Sequence, residues 1–397
     1  MSSLQARFPA ARCGYRAFVY NAFFRLVLQR IDPERAHALA TLAMRGLERI
    51  PGALALLDWL LRPRDPGLRV RALGLDFRSP LGVAAGVDKN ATWFNALGAL
   101  GFGAVEVGTV TARAQEGNPE RPRVSRLPRD RALLNSLGFP NDGCEAVARR
   151  LARRRTRAPI GANIGKTKVV QIDDAVPDYR ESTRALAPLA DYLVLNVSSP
   201  NTPGLTQIQT VERLSALVAG VREELRACAP AGKVPLLIKL GPDLPNAEIE
   251  EIAEMAVRLQ LDGIIAVNTT VDTGLALKSE AEIASQEHGG GISGRPLKER
   301  ALEVLQLLHA RAGDHLALVS VGGIETHLDV WERILAGASL VQAYTAFVYG
   351  GPLWPHRINR GLARCLRDSQ WSSIDEAVGK GAGDASAPLS HWPLPAQ

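Results

Sequence analysis

The chain has 397 residues, 46% of them hydrophobic, with a net charge of +6 and a mean hydropathy of −0.02. That length suits one large domain with insertions, and no apolar run approaches the ~20 residues that a spanning helix needs. The four cysteines lie far apart and the basic residues do not cluster with aromatics, so we expect reduced thiols in a cytoplasmic setting, no metal site and no nucleic-acid partner.

The first 62 residues carry much of the positive charge, with nine arginines against four acidic residues. From Tyr15 to about Ile31, polar side chains recur at helical spacing opposite an aromatic-rich face, which predicts an amphipathic helix. Asp32-Pro33-Glu34 is typical of a helix start, and a second helix is predicted to run to about Ile50. A basic, amphipathic segment favours an anionic membrane surface, so residues 1–62 are predicted to associate with a membrane. The alternative is that these helices only cap the domain that follows the linker 63–69.

Residues 70–378 alternate short apolar runs with helical stretches, and eight β-then-α units favour a TIM (β/α)₈ barrel. A doubly wound open sheet is the structural alternative. The predicted strands are Leu81 to Ala85, Ala104 to Gly108, Pro159 to Ile164, Tyr192 to Val197, Pro235 to Leu240, Gly263 to Val267, Ala317 to Val321 and Leu340 to Tyr344. Residues 379–397 are rich in Gly, Ala, Pro and Ser without periodicity, which predicts a disordered tail.

Polar residues gather at the predicted carboxyl ends of the strands, where TIM barrels place their chemistry. Asn196 and Asn268 follow apolar runs there, and so does Lys239. Turn chemistry alone explains some of the asparagines and glycines, but it does not explain lysines in a chain that has only eight of them. A lysine on the buried side of a strand needs a partner, and an anionic ligand is a natural one.

Glycine pairs indicate a phosphate site at the same end of the barrel. Gly322-Gly323 and Tyr344-Thr345 follow the seventh and eighth predicted strands, where many barrels hold a phosphate through backbone N–H groups. Gly290 to Gly294 adds another flexible backbone cradle for an anion. Together these segments favour a phosphorylated cofactor over the mouth of the barrel.

Six ordered segments resemble the signature segments of dihydroorotate dehydrogenases. They are Ala85 to Lys89, Asn135 to Phe139, Asn196 to Gly204, Asn268 to Thr270, Ser293 to Pro296 and Gly337 to Ser339. The resemblance runs in order from about residue 32 to 366. It implies FMN as the cofactor and the oxidation of dihydroorotate to orotate, the fourth step of de novo pyrimidine synthesis.

Carried over position by position, the resemblance implies two sets of contacts. One non-covalent FMN per chain is expected against Ala85, Gly86, Val87, Asp88, Lys89, Thr109, Asn163, Asn196, Lys239, Val267, Gly294, Gly323, Tyr344 and Thr345. Dihydroorotate is expected against Lys89, Asn135, Ser136, Leu137, Gly138, Phe139, Asn196, Asn201, Asn268 and Thr269. A planar substrate with a carboxylate, imide N–H groups and carbonyls requires a cation and several amides, which this set contains. Ser136 and Thr206 depart from the family pattern, which has arginine at both positions.

Ser199 matches the position of the family's catalytic base, where the soluble classes have cysteine. A turn is the alternative interpretation of its Ser-Ser-Pro-Asn segment. The hypothesis is that Ser199 takes a proton from C5 of dihydroorotate, with Thr202 and an ordered water as its proton path, while hydride passes from C6 to the flavin. Lys239 would stabilise the reduced flavin, and Lys89 would orient the substrate.

The serine and the N-terminal helices, which resemble a quinone-channel domain, together imply the membrane-associated, quinone-reducing class. We expect a monomer bound peripherally to the cytoplasmic face of the inner membrane, with a membrane quinone as its acceptor. A flavoenzyme with a soluble acceptor, fumarate or NAD, would instead predict cysteine at position 199 and no amphipathic leader. A silent barrel that binds FMN or a nucleotide as a sensor or scaffold is the alternative from a different functional class.

Overall fold

A closed barrel of eight parallel strands organises the part of the chain that the computed structural model describes, namely Tyr20 and residues 22–229, 234–272, 274–279, 289–313 and 315–381. In chain order its strands are β1 Val70–Ala72, β2 Leu75–Phe77, β3 Leu81–Asp88, β4 Ala104–Val110, β5 Val124–Leu127, β6 Ala132–Asn135, β7 Ile160–Ile164, β8 Tyr192–Asn196, β9 Leu236–Leu240, β10 Gly263–Ala266, β11 Gly291–Gly294, β12 Ala317–Val321 and β13 Leu340–Ala343. The ring runs β3, β4, β7, β8, β9, β10, β12, β13 and returns to β3. This closure confirms the predicted TIM barrel and excludes the open sheet, which would leave two edge strands unpaired.

Helices surround the barrel strands. They are α1 Pro33–Arg49, α2 Ala53–Leu61, α3 Phe94–Ala99, α4 Cys144–Leu151, α5 Ala175–Leu186, α6 Val211–Cys228, α7 Asn246–Arg258, α8 Lys298–Ala312, α9 His327–Leu335, α10 Thr345–Gly350, α11 Trp354–Arg367 and α12 Ile374–Ala377. Every residue of β7, β8, β9 and β10 is buried, because helices cover the outside of the ring and side chains fill its inside. Burial on both faces is the reason that these strands read as continuous apolar runs in the sequence.

A three-stranded antiparallel sheet over the barrel was not predicted. It is formed by β5, β6 and β11, and it pairs Asn135 with Gly291 and Ala132 with Gly294. Asn135 was predicted to lie in a loop and Gly290 to Gly294 to form a flexible cradle. Both expectations are corrected, since each segment is held in a strand ladder. The paired segments are 156 residues apart in the sequence, so a local sequence pattern cannot predict that they pair.

The N-terminal region contains one more helix than the sequence predicted. The Asp32 side chain accepts a hydrogen bond from the Arg35 N–H at 2.9 Å, as expected of the residue that begins α1. The sequence predicted no helix between Ile50 and the linker 63–69, but residues of this segment form α2, whose last residue, Leu61, is buried in the hydrophobic core. Of the first predicted helix, residues 22–26 are helical and Leu28–Arg30 forms a 3₁₀ turn, while residues 15–19 lie outside the described part of the chain.

The predicted tail falls mostly outside the described residues, which end at 381. Gly379 and Gly381 donate backbone hydrogen bonds to the carbonyls of Ile334 and Leu335, at 3.0 and 2.9 Å. The chain therefore stays attached to the end of α9 for three residues beyond the predicted boundary at 378.

Gly161 in β7 leaves room for a buried ring, and this generates a stability prediction. A Cβ at this position would lie 2.2 Å from Cζ of Tyr192 on the neighbouring strand. Gly161→Ala should therefore lower the free energy of unfolding by about 1–3 kcal/mol through overpacking. Gly46→Ala in α1 is the matched control, because its Cβ would meet nothing within 4 Å and alanine favours a helix. Urea unfolding measures both, and an unchanged Gly161→Ala midpoint would contradict the overpacking argument.

Candidate active site

One large pocket opens at the carboxyl ends of the barrel strands, beneath the β5–β6–β11 sheet. Counted out to its open mouth, it contains about 1200 Å³ of empty space. The predicted residues that line it are Ala85, Gly86, Lys89, Thr109, Asn135, Leu137, Gly138, Phe139, Asn196, Ser199, Asn201, Lys239, Val267, Asn268, Thr269, Gly294, Gly323, Tyr344 and Thr345. Residues that are far apart in the sequence thus face a single cavity.

Four predicted site residues, Val87, Asp88, Ser136 and Asn163, are not among the residues that line the pocket. Val87 is buried in the core, and Ser136 is buried with its backbone in loop hydrogen bonds. The Asp88 carboxylate accepts hydrogen bonds from the N–H groups of Thr92 and Trp93, at 2.9 and 2.8 Å, and so fixes the turn after β3. Asn163 lies behind Thr109, whose hydroxyl donates to its side-chain oxygen at 2.6 Å. A strand-end position in the sequence does not reveal which of these side chains turns inward.

The predicted asparagines hold one another in place along the pocket. Asn201 Nδ2 donates to Asn135 Oδ1 at 3.2 Å, and Asn268 Nδ2 donates to Ser198 Oγ at 3.0 Å. Asn196 Nδ2 donates to Thr109 Oγ1 at 2.8 Å. The amides come from β6, β8, the loop after β8 and the loop after β10. Because their positions are fixed before any ligand arrives, they form a prepared set of donors and acceptors.

Asn118 connects the loops of Ser136 and Asn201 through hydrogen bonds, and the sequence analysis did not identify it. Its Nδ2 donates to the carbonyls of Ser136 and Asn201, at 2.9 and 3.3 Å, and its Oδ1 accepts from Lys168 Nζ at 2.9 Å. A Cβ on Gly138 would lie 2.5 Å from Asn118 Oδ1, so the two loops approach closely. An asparagine in a Gly-Asn-Pro segment is typical of a turn, so its sequence context does not indicate this role.

Two lysines supply positive charge to the pocket. Lys89 Nζ donates to the Gly86 carbonyl at 2.6 Å, and burial lowers the pKa of Lys89 to about 8 against an opposing effect of Asp88. Lys239 is 5% exposed, and burial lowers the pKa of its ammonium below the ordinary value. Its Nζ makes no hydrogen bond to a described residue, and it pairs with Glu106 Oε1 at 4.0 Å. A buried ammonium with so few partners is suited to hold an electron-rich or anionic ligand.

Backbone atoms form the opposite end of the pocket. Gly294 has φ +98°, and a Cβ there would lie 2.4 Å from the Arg131 carbonyl oxygen. Gly323 has φ +72°, and its Cβ would lie 2.3 Å from Cα of Lys298. Both positions therefore require glycine. Thr345 begins α10 beside them, and its hydroxyl is 2.8 Å from that of Ser293. This end can receive a phosphate through backbone N–H groups and hydroxyls.

Ser199 lines the same pocket as the asparagines and Lys239. It is 5% exposed, and its Oγ accepts a hydrogen bond from the Asn201 N–H at 3.4 Å. The Thr202 hydroxyl nearby is buried without a hydrogen-bond partner among the described residues. The serine hydroxyl is thus free to donate, and an unpartnered hydroxyl lies three residues away in the same loop.

Comparisons with known proteins agree on one family. A family model described as dihydroorotate dehydrogenase matches residues 67–366. The chain is 52% identical over 377 residues to a dihydroorotate dehydrogenase (quinone) of Thermobifida fusca, covering 93% of this chain and 98% of that protein. It is 51% identical over 364 residues to the protein of the same name from Streptomyces coelicolor, covering 91% and 98%. A crystal structure of DHODH in complex with ferulenol from Eimeria tenella superposes with a TM-score of 0.80 at 34% identity, covering 94% of this chain and 99% of that one.

Proposed function

Because this chain belongs to the dihydroorotate dehydrogenase family, we propose that its pocket is the site at which dihydroorotate is oxidised to orotate. The chain is an oxidoreductase of pyrimidine biosynthesis that uses a flavin and a quinone as electron acceptor. One observation carries the assignment of the site. Asparagine side chains from four separate segments converge with Lys89 and Ser199 on a single cavity.

We propose that the flavin is one non-covalent FMN per chain. The pocket suits it at both ends, because the glycines at 294 and 323 leave backbone open to a phosphate and Lys239 leaves a buried ammonium open to the ring system. When bound, FMN supplies the hydride acceptor and passes the electrons on to the quinone. Val267, Thr109 and Tyr344 would form the walls that keep water from the reacting face.

Dihydroorotate is recognised through its carboxylate, imide and carbonyl groups. Lys89 supplies the cation for the carboxylate, and the carboxylate would in turn raise the pKa of Lys89. Asn135, Asn201 and Asn268 each present an amide, which can donate and accept at the same time. Hydrogen bonds to neighbouring side chains already orient these amides. Substrate binding would therefore lose less free energy to the ordering of side chains.

Ser199 is our candidate for the base that removes the C5 proton. A serine hydroxyl is a weak base at neutral pH, so it has to release its own proton along a path to solvent. The buried Thr202 hydroxyl and an ordered water supply that path in our proposal. The amide N–H of Asn201 fixes the Oγ position from the other side.

The N-terminal helices serve the quinone half of the reaction. Leu39 and Leu42 on α1 and Leu56, Trp59 and Leu60 on α2 are exposed. An exposed apolar face of this size next to arginine-rich segments favours peripheral attachment to an anionic membrane, which we assign to the cytoplasmic face of the inner membrane, with the protein as a monomer. Among the described helices, none is both long and apolar enough to cross a bilayer.

The cofactor and substrate are tested together by anaerobic bleaching. Dihydroorotate should remove the visible flavin absorbance of the FMN-saturated protein, and a quinone should restore it. Denaturation should release about one FMN per chain, because no covalent attachment is expected. FAD, a covalent flavin, or a yellow protein that dihydroorotate does not bleach would contradict the proposal, and the last result would favour the silent barrel.

Ser199 is tested by rapid mixing. Ser199→Ala should keep FMN and bind orotate normally but slow flavin reduction by about 10²–10⁴-fold, the usual contribution of a positioned base. Ser199→Cys should recover part of the rate and gain more as pH rises, because a thiolate can take the same proton. Orotate binding controls for an intact pocket. Reduction of Ser199→Ala at the wild-type rate would show that the segment is only a turn.

The membrane proposal calls for point variants rather than a truncation. Removing residues 1–62 would take away Leu61 from the core and Glu34, whose carboxylate pairs with Arg123 at 2.5 Å. Leu42→Glu with Trp59→Glu should instead abolish binding to anionic phosphatidylglycerol vesicles and slow reduction of membrane quinone, because both side chains are exposed. Bleaching by dihydroorotate should persist.

Val169→Glu is the matched control for these variants, since that exposed apolar residue lies in the loop after β7. It should leave vesicle binding unchanged. Equal loss of bleaching and quinone reduction in a folded, FMN-loaded Leu42→Glu/Trp59→Glu protein would support the capping alternative.

A further inference from the structure

A buried carboxylate lies inside the barrel, behind the pocket wall. Glu106 is in the middle of β4, a strand whose seven residues are all buried, and it is 1% exposed. An ionised carboxylate is costly at such a place unless charge and hydrogen bonds compensate it. Its partners therefore indicate its role.

Both oxygens of Glu106 accept hydrogen bonds from amide side chains. Asn163 Nδ2 donates to Oε1 at 2.8 Å, and Gln342 Nε2 donates to Oε2 at 2.6 Å. An amide N–H therefore holds each oxygen of this carboxylate in place. Glu106 Oε1 also lies 4.0 Å from Lys239 Nζ. Lys239 and Gln342 line the pocket, whereas Glu106 does not, so the carboxylate can reach a ligand only through its neighbours.

We propose that Glu106 is a positioning residue of the redox site, whose negative charge keeps Lys239 in the ammonium form at the pocket wall. This inference rests on the proposed FMN site. The ammonium of Lys239 favours the more electron-rich, reduced cofactor, so Glu106 raises the cofactor's reduction potential through Lys239. The amides of Asn163 and Gln342 hold the carboxylate at the distance where it acts on Lys239 and not on the ligand.

Few charged groups surround Glu106 and Lys239, so the carboxylate acts on the lysine directly. Burial lowers the pKa of Lys239, and Glu106 is the group that opposes this. Tyr192 on β8 also faces Glu106, but burial raises the pKa of Tyr192 well above its ordinary value, so its hydroxyl stays neutral. Without the carboxylate, nothing in the described surroundings offsets the burial of Lys239, and its ammonium is lost at a lower pH.

The test is the reduction potential of bound FMN in Glu106→Gln, measured by dye equilibration with the protein saturated with FMN. The variant keeps the shape of the side chain and removes its charge. We expect the ratio of reduced to oxidised FMN at a given potential to fall about tenfold at pH 8, which is about 30 mV for a two-electron couple. The difference from wild type should shrink towards pH 6, where Lys239 regains its proton.

A double-variant cycle separates this role from a structural one. Lys239→Met should lower the potential by at least as much, and Glu106→Gln should add nothing in the Lys239→Met background. Each single variant leaves one buried charge uncompensated and should lower the thermal unfolding midpoint, which the double variant should partly restore. Glu106→Asp, which keeps the charge, should recover part of the potential and serves as the test if Glu106→Gln does not fold.

Three results overturn the inference. They are an unchanged potential in FMN-loaded Glu106→Gln, a shift that adds in full to that of Lys239→Met, and a Glu106→Asp potential as low as that of Lys239→Met. Failure of the wild-type protein to bind FMN would instead overturn the proposed cofactor, so the two failures are distinguishable.

Discussion

Closure of eight parallel strands into a ring is the constraint on which the rest of this protein depends. A closed parallel ring brings all the strand ends of one polarity to one rim, so residues from Ala85 to Thr345 meet there although the sequence separates them by most of the chain. The same closure leaves an interior that must be filled. Most of it is apolar, but a glutamate, a glutamine, an asparagine and a lysine also lie there. Hydrogen bonds and opposite charges among these four side chains compensate the cost of burying them. Two of them, the lysine and the glutamine, line the pocket.

The pocket therefore has two kinds of wall with different chemistry. Towards the barrel, the wall consists of polar side chains, which present the ammonium of Lys239 and the neutral amides of Asn196 and Asn268. Towards the phosphate end, glycines with positive φ present bare backbone, because a Cβ at 294 or 323 would collide with neighbouring backbone. A ligand with a phosphate at one end and an electron-accepting ring at the other matches this division. The antiparallel sheet of β5, β6 and β11 lies over the pocket and adds the side-chain amide of Asn135 to its lining.

The sequence predicted the barrel well, because strands buried on both faces produce continuous apolar runs, and these alternate regularly with helical stretches. All eight predicted strands were confirmed, most of them within one or two residues at each end, although β3 runs three residues beyond Ala85. The β5–β6–β11 sheet was missed since its partners are distant in sequence and its strands are only four residues long. The full set of site residues came from the family resemblance carried over position by position, and that resemblance does not show which side chains point back into the fold, as those of Asp88 and Asn163 do. Glu106 carried a usable signal, a single acid in an otherwise apolar strand, which a search confined to strand ends could not notice.

The N-terminal helices make specific contacts with the loops beside the pocket. Glu34 at the start of α1 pairs with Arg123, whose side chain is only 9% exposed, and the hydrogen bond between them is the main cause of the lowered pKa of Glu34. The backbone carbonyl of Arg123 accepts the N–H of Ser136, in the loop for which substrate contacts are proposed. An ion pair thus joins the start of α1 to the segment before β5, while Leu39 and Leu42 on the same helix remain exposed. Contact with the rest of the fold through Glu34 would therefore still leave the exposed leucines of this helix available for the proposed membrane contact.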